Sequence, residues 1–268
     1  MNRASLLVLA LVTVGGATGC PHGAIKNPAP ELTADDMLAR LAAARAKATS
    51  FRSESVMDYW LGSDRVKGTV KVMGTPSAQV RFNALSPTDD VIADLACDGT
   101  NYVYVDSRNN CVMTGPCNRD SIGQLLRVSL TPQDFFYLAL GQAPVLGDAK
   151  ATMTWNSDDG TQRLELGSPE GTQTIVLDGK TETYDVLSSE RRDPDGKVVW
   201  SVSNTDFAIT SDEAGLTLRV PGKTRFRSPD EKADLIIDWK TRELNVTLDA
   251  RRFELTPPAG LPMCGAAK

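Results

Sequence analysis

Histidine occurs once in this chain, as His22, and that single placement removes most of the chemistry a domain of this size could carry. A Ser–His–Asp triad, an imidazole metal site or an imidazole acid–base step has no histidine to use anywhere in residues 33–268. No G-x-S-x-G elbow, Walker loop or G-x-G-x-x-G stretch is present. Carboxylates are plentiful, but the visible pairs, Asp89-Asp90 and Asp158-Asp159, lie in turn-type sequence, where Asp bonds its own backbone. The run from Asn156 to Gly160 has the start of a calcium loop. Its twelfth position, which needs a bidentate glutamate, is Gly167, so the run reads as a hairpin turn. The expectation is a protein that is not an enzyme and holds no metal and no cofactor.

The thiols carry more information. Residues 1–19 place Arg3 ahead of an apolar run, Ala4–Val14, and end in small residues, which is the layout of an export signal. Ala17-Thr18-Gly19-Cys20 resembles the bacterial lipobox, in which the cysteine sulfur takes a diacylglycerol; the alternative is an ordinary signal peptide that happens to precede a cysteine. The apolar run is well short of the ~20 residues that span a bilayer. Setting Cys20 aside as the lipidated residue leaves Cys97, Cys111, Cys117 and Cys264, an even set in an exported chain, and therefore two disulfides. Three connectivities are open. Cys111 and Cys117 flank what reads as a short turn, which favours that pair and leaves Cys97 to Cys264; the rival joins Cys97 to Cys111 across a hairpin. With a net charge of −5 and no block of lysine and arginine, nucleic acid is not an expected partner, and membrane attachment falls to the lipid alone.

The elements that would position these groups follow from periodicity. Residues 20–32 hold the lipidated cysteine and a Pro-rich tether. Thr33 is an N-cap, and Met37, Leu41, Ala44 and Ala48 form an apolar stripe that predicts a helix to about Lys47. From Ser50 the period changes to two. Strands are predicted at 65–73, 79–85, 91–97, 101–106 and 111–114, separated by Gly, Pro, Asp and Asn turns. Helices follow at 120–128 and at 132–140, the latter with Thr131 as N-cap and Pro132 in the first turn. Strands then resume at 152–156, 163–166, 172–177, 183–190, 198–207, 216–220, 235–239, 244–248 and 252–255. A flat sheet of about a dozen strands would expose costly edges, so the predicted fold is mainly β. It is a strongly curved antiparallel sheet or unclosed barrel, with a few helices as lid, in one domain spanning residues 33–268.

This order of elements, the strand–loop–strand run from Phe82 to Leu95, and the helix from Thr131 ending in Leu140-Gly141 before Pro144 resemble the LolA/LolB family of lipoprotein carriers and receptors. The closer likeness is to the outer-membrane receptor branch. The resemblance implies an unclosed barrel around an apolar cavity for acyl chains or lipoproteins, bound for transfer to or insertion in the outer membrane. Inward-facing residues Val70, Val72, Val80, Phe82, Val91, Leu95, Tyr102 and Tyr104 would line it. Leu125, Leu126, Phe135, Phe136 and Leu138 would close it from the helices. For each of these residues, plain packing in a closed core is the competing reading. Leu85 matches by position a leucine that such receptors expose on a loop towards membrane or cargo. Pro21 after the lipidated cysteine implies the outer membrane by the same analogy, facing the periplasm. The expected partners are the membrane through the N-terminal lipid, acyl or lipoprotein cargo and a periplasmic carrier protein, with the chain itself a monomer. A non-catalytic envelope lipoprotein of the same fold, binding a protein or polymer, is the second expectation.

Overall fold

Thr33 opens the first helix, α1 (Ala34–Ala46), through a reciprocal cap. Its hydroxyl accepts from the Asp36 N–H at 3.1 Å, while its own N–H donates to the Asp36 carboxylate at 3.0 Å. The computed structural model describes residues 23–126 and 130–265, so the leader and Cys20 lie outside the described residues. After α1 come β1 (Phe51–Leu61), β2 (Asp64–Gly74), β3 (Gln79–Leu85), β4 (Val91–Asp98), β5 (Asn101–Asp106) and β6 (Cys111–Pro116). Helices α2 (Arg119–Leu126) and α3 (Pro132–Ala139) interrupt the sheet. Strands resume as β7 (Lys150–Asn156), β8 (Thr161–Ser168), β9 (Gly171–Asp178), β10 (Val186–Arg192) and β11 (Val198–Thr205). A hairpin of β12 (Ala208–Ser211) and β13 (Thr217–Val220) stands apart, and β14 (Lys223–Ser228) and β15 (Ala233–Leu244) complete the set.

Thirteen strands form one antiparallel sheet, ordered β6-β5-β4-β3-β2-β1-β15-β14-β11-β10-β9-β8-β7, and it does not close. The long central pair joins the first meander to the second, with Phe51 opposite Leu244 and Leu61 opposite Ala233. A bulge between Glu54 and Ser55 adds local curvature. The two outermost strands are flanked by segments that precede α1 and follow β15. At β6, Val112 donates to Pro262 O and accepts from the Cys264 N–H, both at 2.9 Å. At β7, the Trp155 indole donates to Ile25 O at 3.0 Å, and Ile25 N–H donates to Ser157 O at 2.7 Å just beyond the strand. Both contacts blunt edges that would otherwise invite pairing with other chains. Within the stretch read as a Pro-rich tether, Ile25 is docked on the sheet, where it gives the half-buried Trp155 indole N–H an acceptor.

Several boundaries differ from the sequence reading for identifiable reasons. β1 places Ser53 and Ser55 on its buried face, which breaks the apolar alternation that would mark a strand. β14 is rich in arginine and lacks a hydrophobic run. β15 continues unbroken through Lys240–Glu243, and residues 250–253 form a 3-10 turn instead of a strand. The buried side chains fall into separate groups. Met37 and Leu41 of α1 pack on Leu164, Leu166, Ile175 and Leu177 of the second meander. Phe136 of α3 packs with Phe51 and Leu244, and Leu95, Cys97 and Tyr102 form a third group in the first meander.

Candidate functional site

Helix α3 lies over the concave face of the sheet and does not fill the space beneath it. Thr131 and Asp134 cap each other, with Thr131 N–H donating at 2.8 Å and Asp134 N–H at 3.1 Å, and Pro132 pre-sets the first turn. Phe136 then enters the sheet beside Phe51, ring centroids 5.8 Å apart. The far end of the helix is held by Gly141, whose φ of +74° is left-handed and whose missing Cβ leaves room for Pro221. Gly141 O accepts from the Asn204 amide at 3.2 Å. Asn204 in turn accepts from the Thr224 hydroxyl at 2.9 Å, and that hydroxyl accepts from the Trp239 indole at 3.0 Å. This buried chain of hydrogen bonds couples the lid's end to the orientation of Trp239 in the wall.

Between lid and sheet is a cavity of about 420 Å³. Register builds its wall. Val72, Phe82, Leu95 and Tyr104 sit opposite one another across β2, β3, β4 and β5, forming one apolar row. Tyr59, Leu235 and Phe226 form a second across β1, β15 and β14. The row nearest α3 is sealed, with Phe51, Cys97, Phe136 and Ala139 buried. The opposite end is open: Val66 is 42% exposed, and Arg108 and Asn109 of the β5–β6 turn are exposed on the rim. Burial, with a smaller contribution from Asp106, pushes the Tyr104 phenol above its usual value, and Arg108 pulls it the other way.

Of the residues expected to face a cavity, Val72, Val80, Phe82, Leu95, Tyr104, Phe135, Phe136 and Leu138 line this one. Val70 shares the face but is buried away from the space, and Tyr102 packs on Gly115 outside it. Val91 stands at the start of β4 and is 45% exposed. The side chains of Leu125 and Leu126 lie outside those described. Leu85 requires correction: it is the last residue of β3, paired with Val91 and only 6% exposed, so it offers nothing to a membrane. The loop after it presents hydroxyls and carboxylates bonded to one another. Sequence reasoning missed Met57 and Tyr59 of β1, and Leu235, Ile237 and Trp239 of β15. The alternation Leu235, Ile237, Trp239 was the available signal for the last three.

The disulfides also correct the reading. Cys97 bonds Cys117 (Cα–Cα 6.0 Å) and Cys111 bonds Cys264 (Cα–Cα 4.9 Å), so neither weighed pairing occurs. The stretch between Cys111 and Cys117 is strand, not turn. Six extended residues separate their Cα atoms by about 20 Å, against the ~7 Å limit for a bridge. Cys117 instead extends past β6 to the β4–β5 turn, where its N–H donates to Thr100 O at 2.7 Å. This bridge ties the approach to α2 to a cavity wall strand.

On the outer face, Arg163, Thr174, Ser188, Glu190, Ser201, Ser203, Arg225 and Arg227 line a polar groove of about 310 Å³. Arg225 is held by a two-pronged pair with Asp234. Among the described residues, no cluster of three or more His, Cys, Asp or Glu could hold a metal ion, and no helix is long and apolar enough to cross a membrane.

No protein-family model and no curated protein sequence matches this chain. Solved structures do match by shape. A LolA superfamily protein from Nitrosomonas europaea superposes with a TM-score of 0.56 at 12% identity, over 83% of this chain and 98% of that one. A DUF1329 family protein from Desulfovibrio piger gives 0.54 at 16% identity, over 82% and 95%. A domain described as an outer membrane lipoprotein-sorting protein from Vibrio parahaemolyticus gives 0.54 at 10% identity, over 82% and 97%. The chain thus has a LolA/LolB-like fold: a large unclosed antiparallel sheet with helices against its concave face.

Proposed function

We propose that this chain is a lipid-anchored envelope protein that binds acyl chains, free or attached to lipoproteins, in the cavity beneath α3. The single observation that carries this reading is the apolar, one-ended cavity of about 420 Å³, within the ~300–1,000 Å³ range of small-molecule sites. Each methylene moved from water into such a wall contributes about 0.8 kcal/mol, so alkyl chains are the ligands this surface rewards, and no bond need be made or broken. The likeness to a LolA superfamily protein and to a lipoprotein-sorting domain supports the same role. In this reading Cys20 carries the lipid, the domain faces the periplasm from the outer membrane as a monomer, and cargo arrives from a soluble carrier. It is not an enzyme.

Protein lacking residues 1–20 should take up a fluorescent fatty acid and carry co-purifying lipid. Failure of both removes the proposal. The polar outer groove supports a second reading, a non-catalytic lipoprotein that binds a protein or polymer there. That reading predicts Arg227→Glu to abolish partner capture while leaving fatty-acid uptake unchanged.

A further inference from the structure

The rim of the cavity is not uniformly apolar, and its polar groups lie together on one hairpin. Tyr104 and Asp106 project from the concave face of β5, two residues apart, and Arg108 and Asn109 follow in the turn to β6; all four line the cavity. Asp106 is engaged by its own turn. It accepts from the backbone N–H groups of Arg108 and Asn109, both at 3.0 Å, and from the Asn109 amide at 2.8 Å. The Arg108 guanidinium and the Tyr104 hydroxyl, by contrast, have no hydrogen-bond or ion-pair partner among the described residues. Other arginines on the sheet are paired, such as Arg52 with Glu243 at 2.6 Å and Arg65 with Asp58 at 2.7 Å. An unpaired guanidinium at the exposed rim and a free phenol in the wall below it, both bordering an apolar space, are donors without an acceptor.

We infer that the ligand is an anionic amphiphile, its chain running inward past Phe82 towards Phe136, and its head held between Arg108 at the rim and the Tyr104 hydroxyl in the wall beside it. This rests on the acyl-chain reading above and narrows it to a substrate class: a single negative head, carboxylate or phosphate, on a long alkyl chain. Neutral chains of the same length would fill the wall but leave the rim donors to water.

The test is displacement of the neutral probe N-phenyl-1-naphthylamine from protein lacking residues 1–20, by palmitate, hexadecyl phosphate and hexadecanol. Palmitate or hexadecyl phosphate should outcompete hexadecanol by about tenfold or more, the ratio expected for one charge-assisted hydrogen bond. Whichever anion is stronger tells a fatty-acid head from a phospholipid-type head. Arg108→Gln, in an exposed turn, should erase that preference while hexadecanol binds as before, and Tyr104→Phe should reduce it in part. Equal competition by all three ligands in the wild type overturns the head-group site and leaves the acyl-chain reading standing. Equal loss of all three in Arg108→Gln also overturns it. If none of the three displaces the probe, the acyl-chain reading fails first.

Discussion

Phe82→Asp separates a working cavity from a merely under-packed core. Phe82 sits mid-wall, opposite Val72 on one side and Leu95 on the other, and is half-buried. Its ring borders the cavity, so in the empty protein a carboxylate there meets water entering from the rim, and the fold should survive. An incoming chain changes both terms. Losing the ring forfeits ~1.5–3 kcal/mol of apolar contact, and stripping water from the carboxylate costs ~1–3 kcal/mol or more. Together these come to about 2.5 kcal/mol or more, a loss of at least about fiftyfold in affinity. Phe82→Leu, which keeps the wall apolar, should lose less than about tenfold, since one side chain of similar character replaces another. Both variants would be titrated with a fluorescent fatty acid, with circular dichroism to establish that each is folded. A folded Phe82→Asp protein that binds within about threefold of wild type would refute the assignment of this cavity as the acyl site.

The two disulfides should differ in weight. The Cys111–Cys264 bridge closes a span of 153 residues and Cys97–Cys117 one of 20. On the loop-entropy model these contribute about 5 and about 3 kcal/mol, so Cys111→Ser/Cys264→Ser should lower the Tm more than Cys97→Ser/Cys117→Ser. The reverse order in thermal melts would contradict that model here. Gly141→Ala places a Cβ in a left-handed residue against Pro221 and should destabilise by more than ~1–2 kcal/mol, read as a lower urea midpoint at unchanged slope. A neutral result would mean the lid's end is not fixed as described.

Acid sensitivity follows from Asp98 and Asp234. The Asn101 and Thr100 N–H groups hold Asp98 below the ordinary value of 3.8, and the Arg225 hydrogen bond does the same for Asp234. Near and below 3.8 the unfolded chain therefore binds protons that the folded chain does not. Their contribution is fully present above that value and is lost as pH falls through the lower folded-state values. Asp98→Asn should flatten the acid limb of a stability–pH curve, and an unchanged limb would exclude this origin.

Local order was legible wherever a side chain bonds to its own backbone or alternates cleanly with its neighbours. Thr33 and Thr131 announce their helices because a cap hydroxyl and its partner lie three residues apart, wholly within one segment of sequence. Val72, Val80, Phe82 and Leu95 announce the wall because their alternation assigns them a face before any partner strand is known. The one histidine, His22, and the lipobox-like run ending at Cys20 likewise direct the reading away from histidine-based catalysis and towards the envelope, since residue type alone settles what a side chain can titrate or ligate.

What lay beyond the sequence depends on residues far apart in the chain. Leu85 read as a loop leucine until β3 extended to include it and β4 paired against it. The cysteine pairing misread a strand as a turn, because Cys264 reaches Cys111 only when the tail crosses the sheet to the β6 edge. Part of the cavity wall comes from β1, β14 and β15, brought together by a β1–β15 pairing between segments nearly two hundred residues apart, as in Phe51 with Leu244. Sequence alone thus determined which faces are apolar and that residues 33–268 have no histidine to use, both being properties of single residues and their spacing. The tertiary structure decided that those faces enclose a space instead of touching, and that Arg108 stands at its mouth with no partner among the described residues. Curvature and distance across the sheet are sums over many strand pairings that no local segment encodes.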